Sequence, residues 1–149
     1  METEIAIEEP ALVFLRELWS LNHALEQASK RMQTKLGVTA QQRMVLRFIG
    51  KHPGITAREL AEILHLDGGT LSIALKRLET RGLLARKADT GDKRRARISL
   101  TPRGRRLDTP TSGLVEIAVA RTLQKTKPAE VHATRAFLRR LVGLLAEVQ

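Results

Sequence analysis

The chemistry available to this sequence is concentrated in its cations. Between Arg86 and Arg106 stand nine Arg or Lys and two acids, Asp89 and Asp92, a local charge of +7 within 21 residues. Guanidinium and ammonium groups at that density suit a polyanion, and the whole chain, at a formal +10, leans the same way. The cluster holds Arg86, Lys93, Arg94, Arg95 and Arg97. Asp92, two residues before Arg94, is placed to brace a neighbouring arginine through a bidentate pair. Just upstream, Thr70, Ser72, Ile73, Lys76 and Arg77 fall on one side of a helical repeat whose other side is Leu71, Ala74, Leu75 and Leu78. Hydroxyls of Thr70 and Ser72 suit phosphates or base edges, and Lys76 and Arg77 reach phosphates or guanine acceptors. Ile73 is either a contact for a thymine methyl or an ordinary exposed apolar residue. A solvated charge run is the usual meaning of such a stretch. Cations gathered on one loop between two strand-like segments favour a bound duplex instead.

Other chemistries are poorly supplied. No nucleophile with a base, no phosphate-binding glycine loop and no catalytic pair of carboxylates stands out, so a non-enzyme without a cofactor is expected. The chain has no cysteine, which excludes thiolate catalysis, thiol redox sensing and Cys-ligated zinc. His23, His52, His65 and His132 show no ligand-like pairing, and no metal site is expected. No apolar run approaches the ~18 residues of a membrane span. The first nine residues carry four Glu and no cation, the reverse of a secretory leader. The expectation is a soluble, cytoplasmic protein with no membrane partner.

Helices must position these groups. Leucine, alanine, arginine and glutamate are abundant and aromatics make up 3% of the chain, which favours helix over sheet. Leu12 to Leu36 reads as one long helix closed by Gly37. Thr39 with Gln42, and Thr56 with Glu59, have capping-box spacing and open two further helices, the first stopped by His52, Pro53 and Gly54 and the second with Ile55 and Leu60 as its hydrophobic staple. Asp67 caps the helix that carries Thr70 to Arg77, with Leu66 and Leu71 as its hydrophobic staple, and Gly82 ends it. Leu83 to Ala88 and Arg97 to Thr101 then read as strands around a basic loop, with a turn at Thr90 and Gly91. Beyond Pro102, Leu114 to Leu123 is helical in pattern. A last helix starts at Pro128 and bears a broad stripe of Phe137, Leu138, Leu141, Leu144, Leu145 and Val148. The fold class is mainly α with a small β-hairpin wing: a helix-turn-helix followed by the hairpin. Its expected parts are an N-terminal dimerisation helix over 1–36, a DNA-binding unit over 37–104 and C-terminal dimerisation helices over 105–149.

Four stretches carry a family resemblance: GVTAQQRMVLRFI (37–49), PGITARELAEIL (53–64), TLSIALKRLETRGLLAR (70–86) and DTGDKRRARISLTPRG (89–104). Together they resemble the MarR-type winged helix-turn-helix regulators. The wing is the most specific element, with Asp92, Arg94, a following basic residue, a strand and then Leu100, Thr101 and Gly104. The resemblance implies a homodimer clasped by its terminal helices, a palindromic operator on double-stranded DNA, and repression relieved by a small aromatic or phenolic acid. It also implies that Arg94 enters the minor groove, where negative potential attracts a guanidinium. Two departures are visible. Gly68 and Gly69 occupy the first turn of the recognition helix, where they either admit a close phosphate or are local slack. Pro110 and Gly113 interrupt a helix that is usually continuous in the family, so a kink, a bulge or a late start is expected there.

For the effector, Arg16, Trp19 and His23 from the first helix and Met44 and Phe48 from the second make a candidate crevice. An aromatic wall with a cation suits an aromatic carboxylate. The alternative is that Trp19, Met44 and Phe48 are simply core. Two other functions remain open at this stage: a weakly specific architectural nucleoid protein without an effector, and a protein-interaction module that uses the C-terminal stripe.

Overall fold

The computed structural model describes residues 9–92, 94–109 and 114–148. The chain falls into two compact units, Met1–Thr111 and Ser112–Gln149. The first contains α1 (Pro10–Leu36), α2 (Ala40–Lys51), α3 (Ala57–Leu64), α4 (Gly68–Thr80), β1 (Leu84–Ala88), β2 (Ala96–Leu100) and α5 (Pro102–Leu107). The second contains α6 (Val115–Gln124) and α7 (Pro128–Glu147).

Local chemistry sets these boundaries. Thr39 Oγ1 accepts the Gln42 N–H at 3.1 Å, and the Gln42 carboxamide oxygen accepts the Thr39 N–H at 3.2 Å. Thr56 and Glu59 close the same reciprocal box at α3. Each box satisfies two N–H groups that a helix start leaves without partners. Gly37 ends α1 in the left-handed region, at φ 73°, and its N–H donates to Gln33 O. The hairpin is antiparallel with Leu84 opposite Leu100 and Arg86 opposite Ile98. On its far edge Ile98 also pairs with Ile55, so the residue expected only as a helix staple is in addition a one-residue third strand.

The core lies between α2, α3, α4 and the hairpin. Val45, Leu46 and Ile49 meet Leu60, Leu71, Leu75 and Leu78, and Leu83, Leu84, Ile98 and Leu100 close it. Burial of the Leu71, Leu75 and Leu78 face, at roughly 1.5–3 kcal/mol per side chain, fixes how α4 is rotated. Its opposite face is thereby turned to solvent.

The periodicity of the sequence does not resolve α5. Thr101 caps it by accepting the Gly104 N–H at 3.1 Å, and Pro102 takes its first turn. Gly104 is buried, and a Cβ on it would collide with the Leu83 carbonyl, so only glycine lets α5 lie this close to β1. Two arginines one turn apart on α2 hold the other end. Arg43 is 1% exposed and donates to the carbonyls of Leu107 and Thr109. Arg47 Nη1 donates to Asp108 O and Oδ1, both at 2.8 Å. These are terminal carbonyls that a short helix leaves without partners, and cations at a helix C-terminus are favoured electrostatically. Pro110 and Gly113 lie outside the described residues. On either side of them α5 ends at Leu107 and α6 begins at Val115.

Replacing Arg43 with methionine keeps much of the side-chain volume but leaves two carbonyls unserved. Arg43→Met is expected to lower stability by about 1.5–3 kcal/mol, the range for a hydrogen bond to a charged group. Urea unfolding of the two proteins measures the difference.

Candidate nucleic-acid interface

The exposed face of α4 carries Ser72, Ile73, Lys76 and Arg77, all open to solvent, with Ile73 57% exposed. Thr70 serves the helix start instead. Its N–H donates to Asp67 Oδ1 at 2.8 Å and its hydroxyl to Asp67 Oδ2 at 2.5 Å. These bonds hold the Asp67 carboxyl below its ordinary 3.8, the Thr70 hydroxyl being the larger cause. Among the described residues, the helix's own backbone aside, nothing lies within 4 Å of where a Gly68 Cβ would stand, and neither Gly68 nor Gly69 has a positive φ. Neither internal packing nor backbone conformation therefore explains the glycine at 68.

In the wing, backbone groups take the acids. Asp89 N–H donates to Arg95 O at 2.9 Å across the loop, while Asp89 Oδ1 accepts the Gly91 N–H at 3.3 Å. The other Asp89 oxygen accepts from Arg97 Nη2 at 3.2 Å. The Gly91 N–H first, and then Arg97, hold the Asp89 carboxyl below its ordinary 3.8 against the opposing cost of desolvation. Asp92 departs from expectation. It makes no bidentate pair with an arginine; Oδ1 accepts the Arg94 N–H at 3.0 Å, and Oδ2 lies 3.7 Å from Arg95 Nε. A loop this tight presents N–H groups nearer than any guanidinium, so the carboxylate shapes the turn.

The cations consequently sort into two sets. Arg86 Nε donates to Glu79 at 3.1 Å, tying β1 to α4, and Arg97 bridges Asp89 and the Gly54 carbonyl. Both are structural braces here. Arg94 is exposed, and its guanidinium makes no ion pair among the described residues; Arg95 beside it is exposed with the long Asp92 contact. Lys93 lies outside the described residues. One unit thus presents Ser72, Ile73, Lys76 and Arg77 on a helix and Arg94 and Arg95 on a hairpin, while Thr70, Arg86, Asp92 and Arg97 hold the parts that carry them.

The candidate effector residues are less gathered. Trp19 is 68% exposed, Arg16 and His23 are exposed, and Arg16 Nε lies 4.0 Å from Glu17. Met44 is 39% exposed, while Phe48 is half-buried against the winged core. Within the single chain Trp19 and Met44 are therefore not core, and the clefts of this unit at α3–α4, at α3 and the wing, and at α1–α2–α4 are lined by other residues. No group of three or more metal-ligating side chains occurs among the described residues, and no described helix is long and apolar enough to cross a membrane.

Comparison with known proteins adds a family and a fold. The MarR family model matches residues 36–95. The organic hydroperoxide resistance transcriptional regulator of Bacillus subtilis is 36% identical over 96 residues, which are 64% of this chain and 64% of that regulator. The chain thus spans a little under two thirds of that relative's length. The transcriptional regulator HosA of Escherichia coli O127:H6 is 35% identical over 104 residues, 69% of this chain and 73% of HosA. A crystal structure of the S. aureus MepR–DNA complex superposes with a TM-score of 0.70 at 23% identity, covering 89% of this chain and 96% of MepR, a likeness that carries the fold.

Both depressed carboxyls give a signed pH dependence. A folded-state value below the ordinary one means that Asp67 and Asp89 stabilise the fold above pH 3.8, and that this contribution is lost as pH falls through their folded values. Amide resonances of Thr70 and Gly91, followed by NMR in an acid titration, should move with midpoints below 3.8. Midpoints at or above that value would contradict the two hydrogen-bonded turns.

Proposed function

Because this chain belongs to the MarR family, we propose that it is a sequence-specific, DNA-binding transcriptional regulator acting as a homodimeric repressor on a palindromic operator. The observation that carries this is the pairing, in one compact unit, of a solvent-facing polar helix surface with a hairpin whose Arg94 guanidinium has no ion pair among the described residues. In this reading Ser72 and Ile73 meet base edges in the major groove, Lys76 and Arg77 meet the backbone, and Arg94 enters the neighbouring minor groove. The open space before Gly68 suits a close phosphate at the start of α4.

A second copy supplies the symmetry. Leu12, Phe14, Trp19, Leu21 and Leu25 are exposed on α1, and Leu138, Val142, Leu144 and Leu145 on α7, with Val148 just beyond its end. Isolated helices gain nothing from such faces in water, and residues 1–36 and 105–149 are the parts assigned to dimerisation. Two recognition helices on a two-fold operator then sit about 34 Å apart or a multiple of that. The effector is proposed as a small aromatic or phenolic acid near Arg16, Trp19 and His23, with Met44 and Phe48. Support comes from an exposed indole with a cation and an imidazole on the same helix.

Footprinting on DNA selected from a random pool tests the function. A protected palindrome is expected; uniform coating indicates an architectural protein instead. Arg94→Ala should weaken operator binding by about tenfold or more, roughly 1.4 kcal/mol, with an unchanged unfolding curve. Unchanged affinity at moderate salt removes Arg94 from the interface. Titration with simple aromatic acids should quench or shift Trp19 emission and release the operator together, and a panel that does neither removes the effector site.

A further inference from the structure

A cleft of about 650 Å3 opens between the α1–α2 turn and the C-terminal half of α4. Gln33, Gly37 and Gln42 form one wall, and Lys76, Arg77 and Arg81 the other. Three cations line it and no acid does. The acid of α4 that stands closest in sequence, Glu79, is held by Arg86 at 3.1 Å. Lys76 and Arg77 have no ion pair among the described residues. Arg81 donates to the Gly37 carbonyl, a neutral acceptor that leaves its charge uncompensated. A Cβ at Gly37 would stand 2.8 Å from Arg81 Nη2, so a larger residue there would make the guanidinium shift. Gln42 is fixed by its capping box through its backbone N–H and its carboxamide oxygen; its side-chain NH2 group makes no hydrogen bond among the described residues.

We infer that this cleft seats a backbone phosphate of the duplex. The inference rests on the DNA-binding reading and assigns a role to residues that it left out, Arg81, Gln33 and Gln42. A phosphodiester brings acceptors only, and the cleft offers donors without a competing carboxylate. The cleft between α3 and the wing differs: about 510 Å3 in size, it sets two carboxylates, Glu59 and Glu62, among Arg58, Arg86, Arg94 and Arg95, so an anion there meets competing acids. The Gln33–Arg81 cleft is open and larger than one anion requires, which suits a strand passing through rather than a trapped free phosphate. Arg81 is at once a phosphate ligand and a latch, joining the C-cap of α4 to the C-cap of α1. Lys76 and Arg77 then add affinity without discriminating sequence.

The test compares wild type with Arg77→Gln, Lys76→Gln and Arg81→Gln, binding a selected operator and a scrambled duplex across a salt series. Each substitution should weaken both duplexes by the same several-fold factor and reduce the salt slope by about 0.9 for each phosphate that is no longer neutralised. Weakening confined to the operator would make these residues base readers and overturn the seat. Lower affinity with an unchanged slope would reduce Arg81 to a latch, and the solvent-exposed Arg77→Gln, which breaks no side-chain bond among the described residues, decides the matter should Arg81→Gln fold poorly. Calorimetry with inorganic phosphate at fixed ionic strength should show no saturable uptake. Saturable uptake abolished by Arg81→Gln, with DNA slopes unchanged, would assign the cleft to a free anion. Wild type that binds neither duplex removes the regulator reading along with the seat, whereas normal binding with unchanged slopes removes the seat alone.

Discussion

Carboxylates in the winged unit are drawn to backbone N–H groups and to a few bracing arginines, and the rest of the surface follows from that competition. Asp67 serves the start of α4, Glu59 the start of α3, Asp89 the Gly91 amide and Asp92 the Arg94 amide. A charged acceptor on an amide donor is a stronger bond than a neutral pair, and in a short turn the amide is always within reach. Acids so held have less to offer the arginines around them, although Asp89 still meets Arg97 and Asp92 lies 3.7 Å from Arg95. Arg94, Lys76 and Arg77 are left facing outward with no ion pair among the described residues. The cation excess of the sequence is thereby left as exposed, unpaired charge on the helix and hairpin of this unit.

Packing decides where that field points. Leu71, Leu75 and Leu78 on α4 are at most 1% exposed, so the rotation of the helix leaves little freedom to Ser72 and Ile73. The wing is set from two sides: β1 by Arg86 on Glu79, and β2 by its pairing with Ile55 and by Arg97 on Gly54. Arg86 and Arg97, held within the unit, are therefore part of what aims Arg94 and Arg95, the arginines proposed to meet DNA. A rigid support of this kind limits the loss of side-chain and loop freedom on binding to a duplex.

Much of this is legible in the sequence where the physics is local. Both capping boxes, the Asp67 cap and Gly37 at a helix end rest on contacts within about four residues, and the hairpin between Leu83 and Thr101 closes over a short loop. What stays hidden is long-range. Arg43 and Arg47 read as ordinary helix cations, because their acceptors at 107–109 lie more than 60 positions away in the chain. Ile55 reads as a staple because its partner strand comes 43 residues later. The charge run reveals the sign of the surface and not its pairing, so Arg86 and Arg97 group with Arg94 although their acids are Glu79 and Asp89. α5 does have a local signal: Thr101 followed by Pro102 is a cap followed by a favoured first helical residue. Its six residues are too few for a periodicity to show.

The allocation of side chains also bears on the proposal that such a unit acts in pairs. With Thr70 held in its cap and Lys76 and Arg77 on the proposed phosphate seat, the proposed base reading falls to Ser72 and Ile73 in the major groove and Arg94 in the minor groove. A good bidentate base contact discriminates by about 1–3 kcal/mol. A lone hydroxyl and an apolar side chain stand at the low end of that range, and a minor-groove arginine reads width more than sequence. A specific site exceeds non-specific DNA by about 4–10 kcal/mol, a margin that so small a reading set does not reach by itself. Two copies on a symmetric operator double the base contacts and the phosphate contacts together. In the proposed dimer the apolar residues that α1 and α7 leave exposed are the surface a second copy covers.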